Sequence, residues 1–165
     1  EQRHQSGRIL IALGGSSKRH QWNEDKVYAS IGHIVKQHSE NEIIITTSRR
    51  TPEQFVERLN TYPFLPHVHF FPVEQTPQGW IFEEMQQAEA VWVTEDSVSM
   101  IYEALTAGCR VGVIAIDRMK QDRITTSIDG LLEKGIISES LLLAQLPEPN
   151  AFKEAERVAT YLLAQ

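Results

Sequence analysis

Glycines, hydroxyls and cations follow the first apolar run of the sequence. The run at residues 8–13 leads directly into Gly14-Gly15-Ser16-Ser17-Lys18-Arg19. Paired glycines allow a tight turn, hydroxyls donate hydrogen bonds, and the N-terminus of a following helix offers N–H groups to an oxyanion. This segment, the glycine-rich turn, predicts a phosphate-binding loop. A plain strand-to-helix turn is the alternative.

The glycine-rich turn matches neither of the common nucleotide fingerprints. A Walker A motif starting at Gly14 requires a second glycine where Arg19 stands. The dinucleotide pattern Gly-x-Gly-x-x-Gly fails at Ser16 and again at Arg19. The sequence therefore disfavours NAD and ATP bound in their usual modes.

A pair of arginines, Arg49 and Arg50, follows the second apolar run at residues 42–47. Two adjacent guanidinium groups repel each other unless an anion or a carboxylate of another element lies between them. Each group also fits phosphate oxygens bidentately. With the cations of the glycine-rich turn, they predict an anion site where two neighbouring strands end. Solvated arginines, or arginines paired with glutamates of the next helix, are the alternative.

A polar segment follows the fourth apolar run, residues 90–94. Asp96 or Ser97 is expected to cap the next helix. Ser99 and Glu103 are four residues apart and off the apolar stripe of that helix, so both are expected to face one crevice. A carboxylate one turn into such a helix can accept hydrogen bonds from the vicinal hydroxyls of a ribose. A solvent-facing glutamate is the alternative.

Short β-branched runs alternate with segments of helical period. Strands are predicted at residues 8–13, 42–47, 67–71, 90–94 and 110–116. Helices are predicted at 23–39, after Thr51 as N-cap, and at 78–89, 97–107, 121–134, 138–145 and 150–163. This order indicates an α/β domain: a doubly wound, Rossmann-like parallel sheet of about five or six strands with helices on both faces. Ligands bind such sheets at the carboxyl ends of the strands, where the polar segments stand.

Composition and charge narrow the class of protein. The 165 residues are 41% hydrophobic and 23% charged, which fits one folded domain and excludes a disordered chain. The net charge of −6 argues against general nucleic-acid binding. Residues 1–51 nevertheless carry 8 basic and 5 acidic side chains, so the positive charge lies early, around the predicted anion site. No apolar run approaches the roughly 18 residues of a membrane span, and we expect a cytoplasmic protein.

Other reactive or aromatic side chains fit structural roles better than chemical ones. Cys109 and Trp92 are expected in the core, and Trp22 and Trp80 at loop edges are expected to pack rather than stack on a base. His67 and a second histidine share a strand face, but no further ligand stands at metal-site spacing, so no metal is expected.

Three segments together resemble a known family. They are Gly14-Gly15-Ser16-Ser17 with Trp22, Thr46-Thr47-Ser48-Arg49-Arg50-Thr51-Pro52, and Thr94-Glu95-Asp96-Ser97-Val98-Ser99-Met100 with Glu103-Ala104-Leu105 and Gly108. They are similar to the mitochondrial fission (elongated-mitochondria type) family of plants and its bacterial relatives, which are labelled predicted nucleoside-diphosphate-sugar epimerases. The same segments resemble the carboxyl-terminal half of a GT-B glycosyltransferase, which holds a nucleotide-sugar.

The resemblance implies a ligand and its contacts. It implies a nucleotide-diphospho-sugar bound without metal or cofactor, with backbone groups of residues 73–76 meeting the base. It assigns the diphosphate to Gly14, Gly15, Ser16, Ser17, Lys18, Arg19, Arg49, Arg50 and Ser97, and the ribose or sugar to Asp96, Ser99 and Glu103. The epimerase label fits poorly, because the sequence has neither the NAD fingerprint nor the Tyr-x-x-x-Lys pair of short-chain epimerases.

The resemblance also implies a larger protein. A GT-B enzyme needs an amino-terminal domain for its acceptor site, and the chain starts at Glu1 rather than Met. We therefore expect a single domain, residues 1–165, that is the carboxyl-terminal half of a two-domain protein and has that other domain as its partner. A non-catalytic protein-interaction module that retains the fold is the alternative function.

Overall fold

The computed structural model describes residues 7–62 and 66–149. Within them the chain alternates between short strands and helices, as the sequence predicts. The strands are β1 (Ile9–Ala12), β2 (His20–Gln21), β3 (Ile43–Thr46), β4 (Val68–Phe71), β5 (Ala90–Thr94), β6 (Arg110–Ile114) and β7 (Asp117–Arg118). The helices are α1 (Glu24–Gln37), α2 (Glu53–Asn60), α3 (Trp80–Gln87), α4 (Val98–Thr106) and α5 (Arg123–Glu133).

The main sheet of the described region has five parallel strands in the order β4-β3-β1-β5-β6. The chain winds outward from β1 in one direction and then, from β5, in the other. This order confirms the doubly wound, Rossmann-like sheet. The turns after β1 and β5 lie on either side of the switch point, where such sheets leave a crevice. The glycine-rich turn and the segment before α4 are therefore neighbours. A separate antiparallel ribbon of β2 and β7 stands beside them.

The sheet is covered on both faces because its strands are apolar on both. Ile9 and Ile11 of β1 belong to a core with Ile31 of α1 and Phe55 of α2. The alternate residues of β1 pack on the other face, with buried side chains from α3, α4 and α5. Continuous apolar strands are typical of parallel sheets buried on both sides.

The predicted core residues and helix end are confirmed. Trp92 is completely buried, and the Cys109 thiol is buried and donates to the Met85 carbonyl oxygen. Gly108 follows α4 with a positive φ of 89° and donates its N–H to the Leu105 carbonyl oxygen, as expected of a glycine that ends a helix.

The cap predicted for α2 is wrong. Pro52 occupies the N-cap position, and Thr51 precedes it. The Thr51 hydroxyl donates instead to the carbonyl oxygen of Gly14, at 2.6 Å. Thr51 thereby joins the start of α2 to the glycine-rich turn, a long-range contact that local sequence does not encode.

The helix predicted at residues 138–145 is also wrong, and the one predicted at 150–163 lies outside the described residues. Ser138 pairs with Gly112 of β6 as an extended backbone, and only Leu143–Gln145 form a single 3-10 turn. The Trp92 indole donates to the Ser140 carbonyl oxygen. Tertiary hydrogen bonds thus hold this segment extended despite its helical period.

Candidate functional site

The glycine-rich turn packs closely against the loop after β3 and the segment after β5. A Cβ atom on Gly15 would lie 2.0 Å from the Arg50 carbonyl oxygen, and one on Gly14 would lie 2.1 Å from Asp96 Oδ2. The Gly14 N–H donates to Thr94 Oγ1 at 2.8 Å, and the Gly15 N–H donates to Asp96 Oδ2 at 2.9 Å. Both N–H groups are therefore engaged within the protein, and the phosphate contact predicted for these glycines stays a prediction. The structure shows that the glycines allow this close packing.

Arg50 joins the two sides of the switch point. Its Nη1 donates to the carbonyl oxygens of Gly15 (3.3 Å) and Ser16 (3.0 Å). Its Nη2 donates to Ser97 Oγ at 3.1 Å and lies 2.8 Å from Asp96 Oδ2. The carboxylate expected beside the paired arginines is thus Asp96. The Arg50 side chain remains 44% exposed, so part of the guanidinium group still faces solvent.

The other three predicted cations have different positions. Arg19 lies at the crevice wall and pairs with Asp122, the N-cap of α5, at 2.5 Å. Burial raises the pKa of Asp122, but hydrogen bonds from Thr125, Arg19 and Ile124 outweigh it, so the pKa lies below its ordinary value. Arg49 is exposed and forms no ion pair with another described residue, while Lys18 is exposed and lies outside the crevice.

The start of α4 is uncapped by side chains. Ser97 is the N-cap residue, yet neither its hydroxyl nor the Asp96 carboxylate accepts an N–H of the first turn. Ser97 holds the predicted N-cap position, but the predicted side-chain cap is wrong. The Asp96 carboxylate bonds to Gly15 and Arg50 instead, and the Ser97 hydroxyl bonds to Arg50 and Asp96. The exposed N–H end of a helix favours negative charge.

Two adjoining cavities lie at this edge of the sheet. The first, which we call the crevice, measures about 440 Å³; its lining includes Arg19, Arg50, Asp96, Ser97 and Ser99. The second, the side cavity, measures about 580 Å³; its lining includes Thr47, Arg49, Val73, Thr76 and Trp80. Ser48 and Met100 line both, so the two cavities are direct neighbours.

The two tryptophans at loop edges differ in position. Trp22 packs edge-on against Phe55, with ring centroids 5.3 Å apart, beside the core. Trp80 contacts Phe71 at 5.8 Å and also lines the side cavity. Packing is confirmed for both, and only Trp80 faces a cavity next to the crevice.

Glu103 is not brought together with Ser99. It lines a third cavity, of about 330 Å³, with Phe82, Met85 and Tyr102 between α3 and α4. That cavity shares no lining residue with the crevice or the side cavity. Burial raises the pKa of the Glu103 carboxyl. A ribose contact from Glu103 stays a prediction, and the structure does not place it beside the predicted diphosphate site.

Replacing Glu103 with glutamine is expected to raise the free energy of unfolding slightly at pH 7. A carboxyl whose pKa is raised by folding stabilises the folded state at low pH and loses that contribution as pH rises through the folded pKa. Glutamine has no charge to desolvate, so its advantage should vanish below about pH 4.3, where glutamate is protonated in both states. Urea titrations of both proteins between pH 3.5 and 8 check this; a pH-independent difference would contradict it.

A buried polar network beneath the glycine-rich turn was missed by sequence reasoning. His20 Nε2 lies 3.0 Å from Glu95 Oε2, and both residues are almost completely buried. Arg118 Nε also donates to Glu95, and its two Nη atoms pair with Asp129. His20 Nδ1 lies 3.2 Å from the Ser17 hydroxyl. The network thereby ties the turn to the β2–β7 ribbon and α5.

Within this network, the pairing of Arg118 with Asp129 favours the charged form of both side chains. The hydrogen bonds from Arg118 hold the pKa of Asp129 below its ordinary value, and those to Asp129 and Glu95 raise the pKa of Arg118. A polar residue directly after an apolar strand, as Glu95 is, was the one signal available in the sequence. Its partners come from residues distant in the chain.

Replacing Glu95 with alanine is expected to lower the free energy of unfolding by about 1–3 kcal/mol, because Arg118 is partly exposed and keeps its two contacts with Asp129. The change removes the carboxylate from a buried pair and leaves the Arg118 charge undercompensated. Glu40→Ala, an exposed change on the loop after α1, should cost less than about 0.5 kcal/mol. Urea unfolding measures both, and equal effects would show that the network does not stabilise the fold.

Comparison with known proteins gives the family of the chain. Among the helices of residues 7–62 and 66–149, none has an apolar stretch of the length that a bilayer span requires. A search of curated proteins found no match to the chain. The family model described as mitochondrial fission ELM1 matches residues 2–165. With the sheet order and the segments around β1, β3 and β5, this match over nearly the whole sequence shows that the chain belongs to the mitochondrial fission ELM1 family.

Proposed function

We propose that the chain binds a nucleotide-diphospho-sugar at the carboxyl end of its sheet, as the donor-binding half of a protein related to GT-B glycosyltransferases. One observation carries the proposal. The uncapped start of α4, the cations Arg19 and Arg50, and three serines meet in one crevice at the switch point. The serines are Ser48 of the loop after β3 and Ser97 and Ser99 at the start of α4.

The crevice suits a diphosphate. The N-terminus of α4 contributes roughly 0.3–2 kcal/mol toward an anion, which alone gives weak binding. The exposed part of Arg50 and the nearby Arg19 add charge-assisted hydrogen bonds. Ser48 and Ser99 place hydroxyl groups in the same lining. Several moderate contributions converge, so no metal ion is needed to hold the charge.

The side cavity suits the nucleoside. It adjoins the crevice at Ser48, and its volume of about 580 Å³ lies in the range of small-molecule pockets. Trp80 and Ile81 supply apolar surface, and Val73 and Thr76 line the same cavity. The Val73 and Thr76 N–H groups are bonded within the protein, so contact of this backbone with the base stays a prediction. Arg49 lies at this cavity and would contact the ligand there, between base and diphosphate.

Under this proposal the chain contributes only the donor side of glycosyl transfer. In glycosyl transfer the sugar leaves a nucleoside diphosphate, and negative charge grows on the departing phosphate. Arg50 and the start of α4 would stabilise that charge. The acceptor site and the base that activates the acceptor would belong to a second domain. Glycosyl transfer by this protein is therefore proposed only together with that domain.

The alternative, an interaction module, is favoured by the cavity between α3 and α4. Phe82 there is 50% exposed, which leaves apolar surface beside the cavity. Under this alternative a protein partner covers that surface and no nucleotide binds. A competition experiment distinguishes the two functions, because excess nucleotide-sugar displaces a bound ligand only from a donor site.

Titration calorimetry against UDP, GDP, ADP and CDP and their sugar esters tests the proposal. We expect one of the bases to bind with a dissociation constant below the millimolar range, without added metal. If none of these ligands gave a binding heat at millimolar concentration, and none displaced another, the proposed function would be overturned.

A further inference from the structure

Asp96 holds a buried negative charge in the wall of the crevice. Its side chain is completely buried. Oδ2 accepts from the Gly15 N–H and the Ser97 hydroxyl, and pairs with Arg50. Oδ1 is also buried but accepts no hydrogen bond from any residue of the described region. Asp96, one of the residues that line the crevice, therefore has one buried carboxylate oxygen that lacks a donor.

An unpaired buried acceptor is unfavourable, and a ligand that brings a donor removes the penalty. Phosphate oxygens offer no donor, whereas a hydroxyl group does. Arg50 is the exposed member of the ion pair, and a bound phosphate would draw its guanidinium group away from Asp96. Oδ2 would keep the Gly15 N–H and the Ser97 hydroxyl, but the carboxylate would lose its counter-ion while Oδ1 still lacks a donor, so the demand for a hydroxyl rises when phosphate binds.

The negative charge of Asp96 also disfavours a free diphosphate relative to a diphosphate that is esterified to a sugar. The terminal phosphate of a nucleoside diphosphate carries nearly two negative charges at neutral pH, because its second pKa is about 6. Esterification by a sugar removes one of them. Asp96 and the phosphate site share Arg50 as their counter-ion, so the additional charge of a free diphosphate is repelled more strongly.

We propose that Asp96 makes the crevice selective for a phosphate that is esterified to a hydroxyl-bearing group, the sugar end of a nucleotide-sugar, over a free nucleoside diphosphate. This inference rests on the proposed function and specifies which ligand the same site prefers. Asp96 acts here as a specificity-determining residue, and its contact with Arg50 couples the two parts of the ligand.

Calorimetry on the wild-type chain tests this without any substitution. UDP, ADP and GDP are each compared in three forms: free, as the β-methyl ester and as the glucose ester. The methyl ester removes the additional charge but brings no hydroxyl, so it separates the two contributions. For the base that binds, we expect the glucose ester to bind at least about tenfold more tightly than the free diphosphate, with the methyl ester between them.

Asp96→Asn, which keeps the shape and removes the charge, should bring the three affinities within about threefold of one another. Asp25→Asn on α1, an exposed change outside the crevice, removes the same charge and should leave the ranking intact. Thermal melting establishes that both variants fold. Equal or tighter binding of the free diphosphate by wild type would overturn the inference and leave the proposed function standing. Absence of binding for all nine ligands, and also for CDP and its glucose ester, would overturn both.

Discussion

Replacing Gly15 with alanine is expected to lower the free energy of unfolding by about 3 kcal/mol. The new Cβ would lie 2.0 Å from the Arg50 carbonyl oxygen and 2.5 Å from its carbonyl carbon. These are backbone atoms, which cannot rotate away as a side chain would. The glycine-rich turn and the loop after β3 must separate to admit the methyl group, and overpacking of this kind costs 1–3 kcal/mol or more.

Gly130→Ala is the matched control. Gly130 lies inside α5, and a Cβ there meets no heavy atom within 4 Å. Alanine favours helix and restricts the unfolded chain, so this variant should gain about 0.5–1 kcal/mol. Urea unfolding of both variants measures the difference. A loss at Gly130, or no loss at Gly15, would contradict the packing described for the turn.

Substituting Arg49 and Arg50 separately is expected to distinguish effects on the stability of the fold from effects on ligand binding. Arg50→Ala removes the ion-pair partner of the completely buried Asp96 and three further hydrogen bonds. Breaking a fully buried pair costs 3–5 kcal/mol, and because Arg50 is partly exposed we expect about 1–3 kcal/mol. Arg49→Ala touches no such pair and should change stability by less than about 0.5 kcal/mol.

Binding is expected to fall in both variants. Loss of one charge-assisted hydrogen bond costs about 1.5–3 kcal/mol, so Arg49→Ala should weaken nucleotide-sugar affinity by roughly tenfold or more while the melting temperature is unchanged. Thermal melting and calorimetry on the same samples give both quantities. If Arg49→Ala bound normally, the side cavity would not be part of the site. If Arg50→Ala melted like wild type, its contacts with Asp96 would contribute nothing to stability.

The sheet was predictable from sequence because its strands are buried on both faces. Apolar runs such as Ala90–Thr94 stand out against the polar turns that follow them, and their alternation with helical periods leaves few topologies. The ends of elements were less predictable. The strand predicted at 110–116 ends at Ile114, although Ile116 is equally apolar and buried, because burial continues beyond the hydrogen-bonded ladder.

The internal contacts of the site were not predictable. The types of residue at the carboxyl edge follow from the sequence, since Arg50, Asp96 and Ser97 all stand directly after strands. Which polar group bonds to which depends on distances between loops that are 30–80 residues apart in the chain. Asp96 therefore looked like a helix cap in the sequence, while in the structure it bonds to Gly15 and Arg50.

Chemical-shift mapping of the isotopically labelled chain with a nucleotide-sugar tests the central claim most directly. Sugar esters of UDP, ADP, GDP and CDP are titrated in turn to millimolar concentration. The proposed site predicts saturable shifts at the amides of Ser48, Ser97, Ser99 and Met100 and at the Trp80 indole, the groups around the crevice and side cavity. Shifts confined to the cavity around Phe82, or none with any ligand, would contradict nucleotide-sugar binding at this edge of the sheet.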